Sequence, residues 1–197
     1  YRLQDKLGYG ISSDKVFPAA SIMKVPIMVA AYRKVEDGSL QLAEVAPLLE
    51  VIGKRSDNQA PVTLINLIGR PYLDRTLKDL GMTQSDFDQN TTTAYDVAQM
   101  WKNLYEGKLL TSGHWQQMQQ FLTDSIFEDR IPAGVPEDIT VIHKVGTDLN
   151  VWADAGIILT DKPFIVVILN SAVNLEEAKQ TVPQLVKLIW SAETASQ

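Results

Sequence analysis

Three short pieces of this chain hold residues whose types and spacing could do chemistry together: Ser21-Ile22-Met23-Lys24, Ser56-Asp57-Asn58 and Lys144-Val145-Gly146-Thr147. They supply a nucleophile, a base and a cationic anchor, the parts of a serine acyl-transfer site that needs no histidine. A Ser-x-x-Lys alone carries no weight, because about one is expected by chance in a chain of this size. A second copy indeed occurs at Ser12 and Lys15. Requiring a Ser-Asp-Asn between a Ser-x-x-Lys and a later Lys-x-Gly lowers the coincidence to roughly one per cent.

The surrounding residues separate the two Ser-x-x-Lys copies. Ser12 and Lys15 lie in Gly10-Ile11-Ser12-Ser13-Asp14-Lys15, a polar stretch that predicts a turn with both side chains in water. Ser21 follows Phe17-Pro18-Ala19-Ala20 and opens an apolar run from Ile22 to Tyr32, which predicts a buried helix with Gly38 near its stop. Three residues along a helix bring Ser21 and Lys24 onto one face. A buried lysine in a first helical turn loses hydration and feels the positive end of the helix dipole, so its pKa falls and the neutral amine can take the serine proton. For an isolated copy the simpler reading is an N-cap serine followed by a snorkelling lysine; the other two motifs favour the catalytic one. Pro26 is expected to remove a backbone hydrogen bond in the second turn and bend the helix near the site.

The three motifs, in this order, resemble the penicillin-recognising serine hydrolases and most closely the class A β-lactamase-like group. Phe17-Pro18-Ala19-Ala20-Ser21 looks like that family's approach to its nucleophile, and Asn90-Thr91-Thr92-Thr93-Ala94 like its lead into a later helix. His143 to Thr147 followed by Trp152-Ala153-Asp154-Ala155-Gly156 looks like its paired core strands, so the likeness covers nearly the whole chain. The resemblance implies Ser21 as the acylated nucleophile, Lys24 as its general base and Ser56 as proton donor to the departing nitrogen. It further implies Asn58 on the substrate's amide side chain, Lys144 with Thr147 on its carboxylate, and an oxyanion hole from the N–H groups of Ser21 and Thr147. Gly146 is expected to let substrate lie against the strand.

Two departures from the family pattern stand out. Val145 replaces the usual Ser or Thr between lysine and glycine, removing a hydroxyl for which Thr147 is a partial substitute. The family's loop glutamate, which activates the deacylating water, has no counterpart: Met82 to Asn90 contains none. Asp86 or Asp88 is the remaining acidic candidate there, although a short acidic loop more commonly reads as a solvated turn. The expected activity is therefore that of a serine hydrolase forming an acyl-enzyme on Ser21 with β-lactams or peptide-like amides, with weak deacylation. A DD-peptidase or penicillin-binding protein, or a non-turnover β-lactam-binding or sensor protein, is the alternative.

Composition excludes several other classes. The 197 residues are 45% hydrophobic and 21% charged, enough to bury a large core. A net charge of −6 with no basic run longer than two residues argues against nucleic acid and anionic membrane surfaces. With no cysteine and two histidines, neither a disulfide framework nor a cysteine or histidine-rich metal site is expected, and no cofactor is implied. His143 precedes Lys144 on an expected strand, faces the other way, and reads as a packed core histidine. No run of eighteen apolar residues suggests a membrane span. A monomer acting on a small β-lactam or peptidoglycan-like peptide outside the cytoplasm is what the resemblance implies.

Periodicity supplies the scaffold for these residues. Tyr1 to Ile11 reads as a β-hairpin segment. Pro71 opens a helix bearing Leu73, Leu77 and Leu80, Thr93 caps another, and Ser112 a third. Strands are expected over Thr140–Gly146, Trp152–Thr160 and Phe164–Asn170, then a closing helix with an Asn174/Glu177 capping box and an apolar face of Ala178, Val182, Leu185, Val186 and Ile189. The fold class is α/β (α+β), β-lactamase/transpeptidase-like: an antiparallel sheet flanked by helices with an inserted helical lobe. One domain spans 1–197, with 1–32 and 126–197 as the α/β lobe and 33–125 as the mostly helical lobe, the site lying between them.

Overall fold

The computed structural model describes residues 1–195, and its elements follow the hydrophobic periods. They are β1 (Val16–Pro18), α1 (Lys24–Glu36), α2 (Leu42–Arg55), α3 (Gln59–Ile68), α4 (Arg70–Asp79), β2 (Thr91–Thr93), α5 (Ala94–Tyr105), α6 (Ser112–Phe121), β3 (Val141–Asp148), β4 (Val151–Ile158), β5 (Phe164–Ile168) and α7 (Leu175–Thr194). Strands β3, β4 and β5 form an antiparallel sheet in that order, and β1 pairs with β2 as a separate two-stranded ribbon. The architecture is the expected α+β one.

Helix α1 is the centre of the core. Val25 and Ile27 through Tyr32 are buried all round, as expected for a helix with neighbours on several sides. It packs against α2, α3 and α4, and the 3-10 turn before it, Ala20–Met23, lies on β3 and β4. Helix α1 ends two residues before Gly38, whose φ of 78° ends the helical run in a left-handed conformation open to glycine. Thr93 Oγ1 accepts from Asp96 N at 3.1 Å to cap α5, and Asn174 Oδ1 accepts from the N–H groups of Glu176 and Glu177 to cap α7.

Four expectations need correction. Tyr1 to Ile11 is not a hairpin: Arg2 alone forms a bridge, to Phe164, and the following residues turn back with no strand partner. The run has too few alternating apolar residues, with two glycines among its last four, to sustain a ladder. Pro26 is the third residue of α1, inside the first turn, where a backbone N–H has no partner within the helix, so the missing donor costs nothing. Ser112 is the first helical residue of α6, and Thr111 occupies the cap position without a side-chain bond. Leu185 lies outside the buried stripe of Ala178, Val182 and Val186 on α7 and is 42% exposed.

Candidate active site

Two of the three motifs occupy junctions between elements, and the third lies within β3. Ser21 sits in the 3-10 turn that joins β1 to α1, after Ala20, whose φ of 47° is unusual for a residue with a side chain and turns the chain sharply into the helix. Lys24 follows as the first residue of α1 and is buried. Ser56 closes α2 in a left-handed conformation, φ 53°, with its N–H on Ile52 O. Asp57 then accepts from the N–H groups of Gln59 and Ala60 at 2.8 and 2.7 Å, which caps α3 and leaves Asn58 free to present its amide outward. The tripeptide thus divides its labour: Ser56 reverses the chain, Asp57 holds the next helix, and Asn58 faces the site.

These side chains converge. Lys24 Nζ donates to Ser56 O and to Asn58 Oδ1, both at 2.6 Å, and lies 3.4 Å from Ser56 Oγ. Lys144, 2% exposed on β3, donates to the same Ser56 Oγ at 2.8 Å and to Val145 O at 3.2 Å. Ser56 Oγ accepts from both lysines, so its own hydrogen is free to point elsewhere. Burial lowers the Lys24 pKa from its ordinary 10.5 to about 8, opposed by the Asp57 carboxylate. Burial, then the Lys24 charge, lowers Lys144 to about 7, opposed by Asp154. Among the described residues Lys24 makes no hydrogen bond to Ser21. A neutral Lys24 that donates its two N–H groups to Ser56 O and Asn58 Oδ1 retains a lone pair to accept the Ser21 proton.

Gly146 is required for a reason the sequence did not show. A Cβ there would lie 2.9 Å from Ala19 O and 3.3 Å from Ile22 Cγ1, so the bare backbone admits the Ser21 turn against β3. Thr147 is exposed near the end of β3. In the β3–β4 register Val145 pairs with Asp154 and Thr147 with Trp152, so those four side chains share one face, while Lys144 and Gly146 take the other.

On the Val145 face lies a residue that motif spacing missed, Arg130. Its Nη1 donates to Gly146 O at 3.1 Å and Ala153 O at 2.6 Å, its Nη2 to Thr147 Oγ1 at 2.6 Å, and the guanidinium stacks 3.7 Å from the Trp152 ring centroid. The side chain is 1% exposed, and burial lowers its pKa from the ordinary value. It holds the Thr147 hydroxyl as an acceptor, leaving that hydroxyl's proton for a ligand. Arg130 lies in an irregular segment far from any motif in sequence; the one available signal was a charged residue next to Ile131-Pro132.

His143 is packed, as expected, and also ion-paired. Its Nδ1 lies 3.0 Å from both Asp154 oxygens and its Nε2 3.3 Å from Glu128 Oε1. Burial lowers its pKa, but Asp154 and Glu128 outweigh that and raise it to about 9. Gly156, opposite His143 in the register, gives it room: a Cβ there would meet His143 Cβ at 2.6 Å.

The loop from Leu80 to Thr91 is short and tied to itself. Asp86 and Thr91 exchange backbone hydrogen bonds, and Asp86 Oδ1 accepts from the N–H groups of Asp88 and Gln89 at 2.7 and 3.1 Å. Asp88 pairs with Arg70 at the surface. The Asp86 carboxylate serves the turn, and that of Asp88 is engaged by Arg70 of α4. The loop ends beside the nucleophile, because Ala19 N donates to Asn90 O at 2.8 Å and β2 is the partner of β1.

A family model described as "Beta-lactamase enzyme family" matches residues 2–51 and 44–192. The chain belongs to that family. The fold of this β-lactamase relative superposes on PBP-A with a TM-score of 0.86 at 21% identity, over 98% of this chain and 87% of that one. The class A β-lactamase of the last common ancestor of Gram-negative bacteria gives a TM-score of 0.87 at 23% identity, over 93% and 88%. A β-lactamase from Chitinophaga pinensis gives 0.86 at 20% identity, over 98% and 91%. No curated protein matches the chain. Family and fold together support a hydrolase of the β-lactamase kind.

Proposed function

We propose that this chain is a serine hydrolase that opens β-lactams or related peptide-like amides through an acyl-enzyme on Ser21, and that it releases the acyl group slowly. The observation that carries this reading is the convergence of Lys24 and Lys144 on Ser56 Oγ, next to Asn58 and beside the turn that bears Ser21. In the acylation step Ser21 Oγ attacks the amide carbonyl carbon and its proton passes to the Lys24 amine. The carbonyl oxygen takes the negative charge and is held by the N–H groups of Ser21 and Thr147. As the C–N bond breaks, the free Ser56 hydrogen goes to the departing nitrogen, and Ser56 Oγ is resupplied by the lysine ammonium beside it. Asn58 binds the substrate's amide side chain, while Lys144, Thr147 and Arg130 receive its carboxylate. Arg130 and Thr147 together replace the hydroxyl that Val145 lacks.

Deacylation needs a base for water, and the loop that carries one in class A β-lactamases has here only Asp86 and Asp88, both engaged elsewhere. This favours a second reading, a peptidase-like or penicillin-binding protein whose ester persists. A leucine-to-glutamate variant of PBP-A is known as an acyl-enzyme complex with penicillin G, and that similarity of fold supports penicillin as a probe. By family we also place this chain outside the cytoplasm, acting as a monomer on small substrates; among its described residues no helix is long and apolar enough to cross a membrane.

The test is intact-protein mass with time after mixing with benzylpenicillin. A covalent adduct that persists for many minutes is the expected result. Rapid antibiotic consumption with no accumulating adduct overturns slow deacylation, and neither adduct nor consumption overturns the acyl-enzyme reading.

A further inference from the structure

Beneath the Val145 face lies a carboxylate that the acylation chemistry does not use. Asp154 is 0% exposed in the middle of β4. Its Oδ2 accepts from Ile131 N at 3.0 Å, the peptide that follows Arg130, and its Oδ1 accepts from Ala155 N at 2.9 Å. Both oxygens lie 3.0 Å from His143 Nδ1. A carboxylate is placed so deeply only where charge and hydrogen bonds compensate it.

The charges around it are unequal. Arg130 comes from the segment before β3, and Lys144 and His143 from β3 itself; all three act on or pair with Asp154. Glu128 stands behind His143, on the side away from Asp154, with 42% of its side chain exposed, and Asp129 lies at the surface 3.6 Å from Arg130 Nε. Asp154 is thus the fully buried negative charge of a cluster that is otherwise cationic, with Arg130 and His143 on its own side of the sheet and Lys144 on the other. Arg130 itself makes no salt bridge to Asp154; what Asp154 holds is the backbone next to it. The guanidinium is then fixed by two carbonyls, a hydroxyl and an indole, with one Nη2 hydrogen and the Nε hydrogen left over among the described residues.

We propose that Asp154 is a positioning residue for recognition of the substrate carboxylate: it pins the Arg130–Ile131 backbone, sets Arg130 on Thr147, and supplies the buried counter-charge for Arg130 and Lys144. The inference rests on the acyl-enzyme reading above and makes the protein selective for acylating substrates with a free carboxylate. Removing the Asp154 charge makes Lys144 give up its proton more readily and frees the Arg130–Ile131 backbone, so the carboxylate loses the ammonium and the held hydroxyl that would meet it directly. An esterified substrate has no anion to lose and is indifferent.

The experiment compares second-order acylation rates of benzylpenicillin and its methyl ester, read by intact mass, for the wild type and Asp154→Asn at pH 6 and pH 8. The wild type is expected to favour the acid. Asp154→Asn is expected to lose about tenfold on the acid at pH 8, with the ester unchanged within threefold and the acid deficit smaller at pH 6. A merely structural role would slow acid and ester alike at both pH values, and that result overturns the proposal while leaving the acyl-enzyme reading intact. A wild type inert to both compounds overturns that reading, and the proposal with it. Should Asp154→Asn not fold, His143→Gln decides: it frees the Asp154 charge for Lys144 and Arg130, so preference for the acid holds or rises. A tenfold fall in that preference overturns the proposal.

Discussion

Lys24 and Lys144, 120 positions apart in sequence, share one hydroxyl: Ser56 Oγ lies 3.4 Å from the first Nζ and 2.8 Å from the second. Two buried amines so placed cannot both hold their charge cheaply: burial brings Lys24 to about 8, and burial with the Lys24 charge brings Lys144 to about 7.

Acylation uses the singly protonated pair. Its proton rests mainly on Lys24, the amine with the higher value, and the productive arrangement, Lys24 neutral as base and Lys144 charged as anchor, is the minor form of the same pair, favoured when a substrate carboxylate meets Lys144. Below about 7 the pair carries both protons and above about 8 neither. The rate of acylation by benzylpenicillin is expected to be bell-shaped in pH, with limbs belonging to the pair. A profile that rises without a maximum up to pH 10 would show that the two amines do not titrate together.

The two Ser-x-x-Lys copies make opposite predictions. Ser21→Ala is expected to abolish the covalent adduct, whereas Ser12→Ala, in an exposed turn with a left-handed backbone, leaves the acylation rate unchanged. Equal losses from both would sink the assignment of the nucleophile.

The His143–Asp154 pair predicts a pH-dependent difference in stability. The folded-state pKa of His143, about 9, lies above the ordinary 6.5, so the contribution is fully present below pH 6.5 and is lost as the pH rises through about 9. Its upper limit is about 3 kcal/mol. The buried lysines work in the opposite direction, since their folded values lie below the ordinary one. The clean measurement is thus the difference between wild type and His143→Gln in urea unfolding. It should be largest at pH 6 and shrink towards pH 9; a constant difference would mean that His143 is not charged in the fold.

Gly146→Ala tests the packing of the nucleophile's turn. The new Cβ would press on Ala19 O, a backbone atom that cannot swing aside. A loss of about 1–3 kcal/mol in stability is expected, together with slower acylation because Ser21 moves with the turn. Full stability and full rate would show that the turn yields freely.

The sequence by itself determined the family and put forward the parts. Ser21, Lys24, Ser56, Asn58 and Lys144 stand out because their chemistry depends on residue type and order, and the helices over 24–36, 70–79 and 94–105 are legible because a one-sided or continuous apolar run has a period that local sequence carries. Only the tertiary structure decided how those parts meet. The Lys24–Ser56–Lys144 contact joins three separate elements, and Arg130 reaches Thr147 from an irregular segment with no period to read. The reason for Gly146 lies in Ala19, more than a hundred residues away, and the charge on His143 depends on Asp154 in the neighbouring strand. Such features follow from distances between residues remote in the chain, where burial and the nearest charge decide the outcome, and the order of residues does not encode those distances locally.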